Sequence, residues 1–397
     1  MRTYIPLNLN LSVGRHSDKY YYILTQIYYG RIFDKRIEHD SFVSLSSKIL
    51  HNILGGDYRK YILFLIHNGI IESDNHYRLG EKSKGYRFTE KYRHRKFQQV
   101  EITDKKLLEN VKMFRAEQES KIRLDQHRYI YDCLRHVNIN AEGARNYIEQ
   151  NIFRDAEYSS YNISVDLIES KSFFFTVDST AGRVHNNITN LSRELRPFLS
   201  YNNEKLVEID IANSQPFLFN ILINAYDIYS NSSFLSRYNT DRYMNLSYVT
   251  SKKTDVLVYR ESTSSGKFYE YLMDKLNIEE ERSEFKVRFF KKIFFSKENP
   301  YYISEERKQF TELFPNVSPI ISYYKKDDYR NLAITLQKTE AEIMINKIVP
   351  RLAEKGIYCL TIHDSILTTP ENSETVKKII LEEFKNHYGL IPTIKIK

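Results

Sequence analysis

The sequence predicts an α+β protein with more than one domain, and three observations carry that prediction. Over residues 171–397, short apolar runs of strand length alternate with helical segments, the pattern of a mainly antiparallel sheet with helices packed on it. The chain is 397 residues long. At about 100–200 residues per domain, that length accommodates roughly two or three cores. Its composition, 41% hydrophobic with 23 Phe, 32 Tyr and no Trp, is too rich in rings for a disordered chain.

The first region is residues 1–100. In 46–54 (SSKILHNIL), Ile49, Leu50, Ile53 and Leu54 recur at helical spacing, and Gly55-Gly56 ends the run. Asp57 stands where it would cap a second helix, in which Tyr61, Ile62, Leu65 and Ile66 repeat the spacing until Gly69. Extended runs at 70–72, 77–79 and 86–89 then flank a basic loop at 81–85 (EKSKG). Two helices followed by a strand hairpin with a basic tip have the outline of a winged helix-turn-helix. There the second helix docks in a groove, and Lys82, Lys84 and Arg87, followed by Lys91, Arg93, Arg95 and Lys96, meet phosphates. The same outline also serves as a plain protein contact.

Residues 101–170 are polar and helix-like over 104–135 and 140–153, with charges on most faces. They read as a helical linker and thumb-like element, or as a spacer. Residues 171–397 hold strand-like runs at 173–177, 206–211, 358–362, 366–368 and 393–396, and helical segments at 281–295, 331–355 and 373–387.

Lys and Arg number 59 against 51 Asp and Glu, a net charge of +8. Mild basicity with many rings suits a nucleic-acid partner, since cations meet phosphates and rings stack on bases; an ordinary solvated surface accounts for +8 equally well. Cys133 and Cys359 are too few for a disulfide framework or a cysteine zinc cluster, which points to a reducing, cytoplasmic setting. The longest apolar stretches, such as 61–66 (YILFLI), fall far short of a membrane span. The first residues (MRTYIPLNLN) lack the apolar core of a signal peptide, so no membrane partner is expected.

Two carboxylates stand out by context. Asp210 follows an apolar strand (LVEID), and Asp364 lies between two strand runs, where a tight hairpin would expose it. Adjacent strand ends of one sheet would bring the two together. Such a pair suits two-metal phosphoryl transfer, in which carboxylates hold magnesium ions about 3.5–4 Å apart. Taken singly, each Asp is as readily a turn residue or a cap.

The surroundings of these carboxylates resemble those in family A DNA polymerases. Residues 179–199 (STAGRVHNNITNLSRELRPFL) and 206–217 (LVEIDIANSQPF) are similar to the approach to motif A and to motif A itself. Residues 336–344 (LQKTEAEIM) resemble the palm helix that follows the fingers, and 356–370 (GIYCLTIHDSILTTP) resemble motif C, a His-Asp pair in a hairpin. The resemblance covers about residues 175–397, apart from a diverged stretch at about 222–265. It implies a right-hand palm with an antiparallel sheet and helical fingers. It further implies Asp210 and Asp364 as ligands of two Mg2+ ions, with Mn2+ as a substitute. Arg183, Asn190 and Arg196 would contact primer or template backbone, His363 the primer end, and Gln337 and Arg330 the template or minor groove.

Motif B should present two cations and two rings at four-residue steps on one helical face. Arg282, Lys286, Phe290 and Phe294 stand at those steps, with the cations placed for triphosphate oxygens and a ring for the base. Phe285, Phe289 and Ile293 form the neighbouring stripe, expected to pack the helix onto the protein. Three positions depart from the family pattern. Ser365 follows the His-Asp pair where the DNA enzymes carry Glu, as in the related single-subunit phage RNA polymerases; Gln215 stands where a Glu gates the sugar; and Phe294 replaces Tyr. The expectation is a compact template-directed DNA polymerase or primase-polymerase of a phage, plasmid or mobile element, acting on primer-template DNA and nucleoside triphosphates, with RNA as an alternative partner. The alternatives are a non-catalytic replication initiator on a polymerase-like scaffold, a single-subunit RNA polymerase and a two-metal nuclease.

Overall fold

The computed structural model describes residues 1–11, 14–33, 41–76, 78, 83–93, 96–231, 253–297 and 303–397. Lys82, Arg95, most of the expected strand at 77–79 and much of the diverged stretch at 222–265 lie outside the described residues. The chain is α+β and divides into two compact units. The first comprises Met1–Leu124, Leu134–Thr176 and His185–Lys205; the second comprises Asp125–Cys133, Val177–Val184 and Leu206–Lys397. No helix among the described residues is long and apolar enough to cross a membrane.

In the first unit, strands Arg2–Pro6 and Phe97–Glu101 pair antiparallel, with Tyr4 opposite Gln99. Helix Ser47–Leu54 starts where Ser46 accepts a hydrogen bond from the Ile49 amide, and stops at Gly55 with φ of 80°, a conformation glycine adopts without strain. Leu50, Ile53 and Leu54 are buried, whereas Ile49 is 38% exposed, so the buried stripe is one residue narrower than expected. Helix Tyr58–His67 buries Tyr61, Ile62 and Leu65. Its expected cap does not form: Asp57 makes no side-chain bond to the helix amides, and its carboxylate instead meets the Lys60 ammonium at 2.8 Å. The backbone of Asp57, at ψ of 0°, is not extended as a capping residue requires. Strand Gly85–Phe88 lies between Val43–Ser44 and Ile71–Ser73 in a three-stranded antiparallel sheet. The expected helix over 104–135 is two, Lys105–Glu119 and Asp125–His136, followed by Ala141–Asn151 and Asp155–Glu169.

The second unit is organised on a four-stranded antiparallel sheet in the order Leu360–Ile362, Ser365–Thr368, Val207–Ile211, Ile394–Ile396. All four strands fall within the runs that alternation marks, apart from Ser365, one residue before its run. Ile209, Ile366 and Leu360 are fully buried, as are Val376, Ile380 and Phe384 of helix Ser373–Tyr388. The Phe217 and Phe384 rings meet edge-on at 5.4 Å. A second cluster of rings, Phe219, Tyr259, Phe268, Phe289, Phe294 and Phe314, is buried through edge-to-face and tilted contacts, each such pair adding about 1 kcal/mol beyond area burial.

Candidate active site

The candidate site is built on the two inner strands. Asp210 pairs with Ser365 across them, and Ile362 pairs with Ser365 in the hairpin, so His363 and Asp364 form a two-residue turn beside Asp210. His363 holds φ of 55°, a left-handed conformation that costs a non-glycine residue about 1 kcal/mol and clusters at functional turns. The Ile211 amide donates to the Asp364 carbonyl at 3.4 Å, fastening the turn to the strand that carries Asp210.

The electrostatics follow from this proximity. Burial pushes the Asp364 carboxyl above the usual carboxylate range; the Asp210 charge adds to the rise, while a hydrogen bond from Ser214 and the Lys286 charge oppose it. Asp210 is met by the Lys397 ammonium, whose backbone exchanges both hydrogen bonds with Glu208. Among the described residues no three His, Cys, Asp or Glu side chains gather as a metal cluster. Asp210 and Asp364, side by side on adjoining backbone, are nevertheless the hard oxygen donors that magnesium takes, since it keeps several waters and completes its shell with substrate phosphate. The residues present fit that ion.

The turn after the Asp210 strand and the start of the following helix, Ser214–Asn231, distribute polar side chains to three partners. Asn213, at φ of 53°, accepts from Arg282 Nη2 at 3.2 Å; Ser214 bonds Asp364; and Gln215 Nε2 donates to Glu340 Oε2 at 2.9 Å. Arg183 Nη2 donates to the same Glu340 oxygen at 2.7 Å. Its tight turn is built by Asp178, whose carboxylate accepts from the amides of Thr180, Ala181 and Arg183, and by Gly182 at φ of 73°. Glu340 is 2% exposed, and burial raises its carboxyl to about 7; the Arg183 charge opposes that rise and the Asp364 charge adds to it.

Of the expected motif B face, Arg282 lies over the Tyr269 ring at 5.1 Å and donates to Glu270 at 2.6 Å. Lys286 is exposed, makes no ion pair among the described residues, and its field reaches Asp364. Phe290 is partly exposed. Phe294 corrects the expectation, because it has no exposed surface and packs on Phe219 and Phe289. The cause is a change of helix type: Arg282–Phe289 is α-helical, but Phe290–Phe294 is a π turn, closed by the Phe295 amide donating to the Phe290 carbonyl at 2.8 Å. The wider turn rotates residue 294 out of the four-step register. The buried Lys325 ammonium stabilises its end by donating to the carbonyls of Ile293 and Ser296 at 3.1 and 3.0 Å.

The other residues singled out by sequence are more dispersed. Gln337 is half-buried in helix Asn331–Ala341, and Arg330, at the start of that helix, forks onto Asp328 at 2.6–3.1 Å. Asn190 and Arg196 belong to the first unit, Asn190 ending the short helix Asn187–Asn190 and Arg196 lying in the 3-10 segment Arg193–Phe198. In that unit Lys84 is exposed, and Arg87 donates to Glu72 at 2.8 Å and lies over the Phe42 ring at 4.1 Å. Asn213, Ser214 and Glu340 were not singled out. An Asn-Ser pair directly after an acidic strand was the available signal for the first two. For Glu340, a lone acid on an otherwise apolar helical stripe was the signal.

No family profile matches the chain, and no curated protein matches it. Among solved structures, the chain is similar to the POL domain of Pol1 from M. smegmatis in complex with DNA primer-template and dNTP. The two share 13% identity over 65% of this chain and 55% of that one, with a TM-score of 0.32. The chain thus spans little more than half the length of that structure.

Proposed function

We propose that the protein is a nucleotidyltransferase that extends a nucleic-acid strand on a template, with DNA synthesis as its main activity. The observation that carries this reading is the pairing of Asp210 with the His363-Asp364 turn on adjacent strands, with Lys286 close enough for its charge to act on Asp364. Asp210 and Asp364 would hold magnesium, which when bound supplies a positive centre for phosphate oxygens and lowers the proton affinity of an attacking hydroxyl. Lys286 balances charge on the triphosphate, Arg282 is held by Asn213 and Glu270 at the start of the same helix, and Phe290 offers the ring. Gln215 and His363 border the nucleotide and primer end. Arg183, Gln337 and Arg330 serve the duplex, as do Asn190 and Arg196 in the first unit. Residues 1–100, with Lys84 and Arg87, form a winged-helix-like nucleic-acid module, and 101–170 a linker and thumb-like element.

The test is incorporation of radiolabelled dNTPs and rNTPs on primed and unprimed templates with magnesium. Extension of a primed DNA template with dNTPs supports the reading. No extension of any template with either nucleotide class overturns it.

A further inference from the structure

Glu340 is a charged group in the second unit to which the reading above gives no role. Its Oε2 takes both donors, Gln215 Nε2 and Arg183 Nη2, while Oε1 is buried with no hydrogen-bond donor among the described residues. Gln215 Oε1 and Arg183 Nε are likewise buried and without partners. A carboxylate taken out of water is costly unless fully paired, and an apolar residue of the same volume is often as stable or more so. Glu340 lies on helix Asn331–Ala341, whose neighbouring inward residues Leu332, Leu336 and Ala341 are apolar. Packing alone gives no reason for an acid there. The two donors arrive from separate segments, Arg183 after the Asp178 turn and Gln215 at the start of helix Ser214–Asn231, 157 and 125 residues away in sequence, and this oxygen joins them. Both segments belong to the candidate site: the helix start follows the Asp210 strand and includes Ser214, which bonds Asp364.

We propose that Glu340 is a positioning residue for nucleotidyl transfer, drawing the Gln215 amide and the Arg183 guanidinium onto one oxygen and so setting where both stand beside the two aspartates. The inference rests on the nucleotidyltransferase reading. Glu340 itself need touch no substrate.

The experiment measures kcat and KM for nucleotide incorporation on a primed template, primer-template Kd by fluorescence anisotropy, and thermal unfolding, for the full chain and its variants. Glu340→Met keeps the volume but removes the acceptor. It is expected to lower kcat/KM about tenfold, the loss of one charge-assisted contact, with primer-template Kd within about threefold. Glu340→Gln keeps a carbonyl oxygen for both donors and is expected to restore kcat/KM to within about threefold of the unsubstituted chain. A folded Glu340→Met protein with unchanged kcat/KM overturns the proposal, as does equal loss in the Met and Gln variants. Should Glu340→Met not fold, Gln215→Met and Arg183→Met carry the test. Each should show the tenfold loss, and activity unchanged in both overturns the proposal. Activity in the unsubstituted chain separates this failure from that of the parent reading, since a chain that incorporates nothing removes both.

Discussion

The sheet around Asp210 and the helix that begins at Arg282 differ in regularity: the strands keep an unbroken register, whereas the helix passes into a π turn. In the sheet, side chains alternate with period two and the ladder holds the register, so Asp210 opposite Ser365 leaves Asp364 no other place than the adjoining turn. In the helix, a single π turn from Phe290 to Phe294 shifts the phase, and Phe294 moves from the expected nucleotide face into the ring cluster. Register in a sheet is enforced by a neighbouring strand, whereas the phase of a helix is enforced only by its own hydrogen bonds. A buried cation such as Lys325 can support the altered ones.

The most severe way to break this comparison is at the strands. On the proposed function, Asp364→Ala or Asp210→Ala is expected to lower primer extension at least a thousandfold while primer-template binding stays within a few fold, because each would remove a proposed ligand of the metal centre that stabilises transition-state charge. At the helix, Phe294→Ala should cost about 3–5 kcal/mol in urea unfolding, the penalty of a cavity at a fully buried ring, while the partly exposed Phe290 should cost clearly less. The opposite ranking would mean that the π turn does not persist in solution.

A smaller effect sharpens the picture around Glu340. Its carboxyl rises from 4.5 to about 7 on folding, so the native state binds more protons than the unfolded chain between those values. The stability contributed by this group is therefore greatest below about pH 4.5 and falls as pH rises towards 7, by about 3 kcal/mol, with no further loss from it above that. Comparing urea unfolding of the unsubstituted chain and Glu340→Gln across that window isolates the term, because the variant lacks this slope. The smallest contrast lies in the first unit: Ser46→Ala should cost about 1 kcal/mol, since its hydroxyl caps a helix, whereas Asp57→Ala should leave unfolding essentially unchanged, since its exposed carboxylate makes no bond to the helix amides.

Much of the second unit was legible in the sequence. The short apolar runs of LVEID and of the residues around His363-Asp364 located the central strands to within two residues, because a strand-length apolar run bounded by polar turn residues marks a buried strand, and the two strands beside that turn are buried throughout. The apolar stripe of Phe285, Phe289 and Ile293 was equally plain and is buried. The partner of each polar side chain was not legible. Arg87 could be read as a phosphate contact because nothing near it in sequence announces Glu72 or Phe42 as its neighbours. Asp57 has the identity of a cap, yet its backbone conformation, which sequence does not specify, turns it to Lys60.

Local periodicity, turn chemistry and the position of acidic residues at strand ends were thus determined by the sequence itself, since each depends on neighbours a few residues away. Tertiary structure decided which buried polar atoms meet. Glu340 meets its partners only when segments 125 and 157 residues distant bring it Gln215 and Arg183, and a buried charge is tolerated only where such partners arrive together.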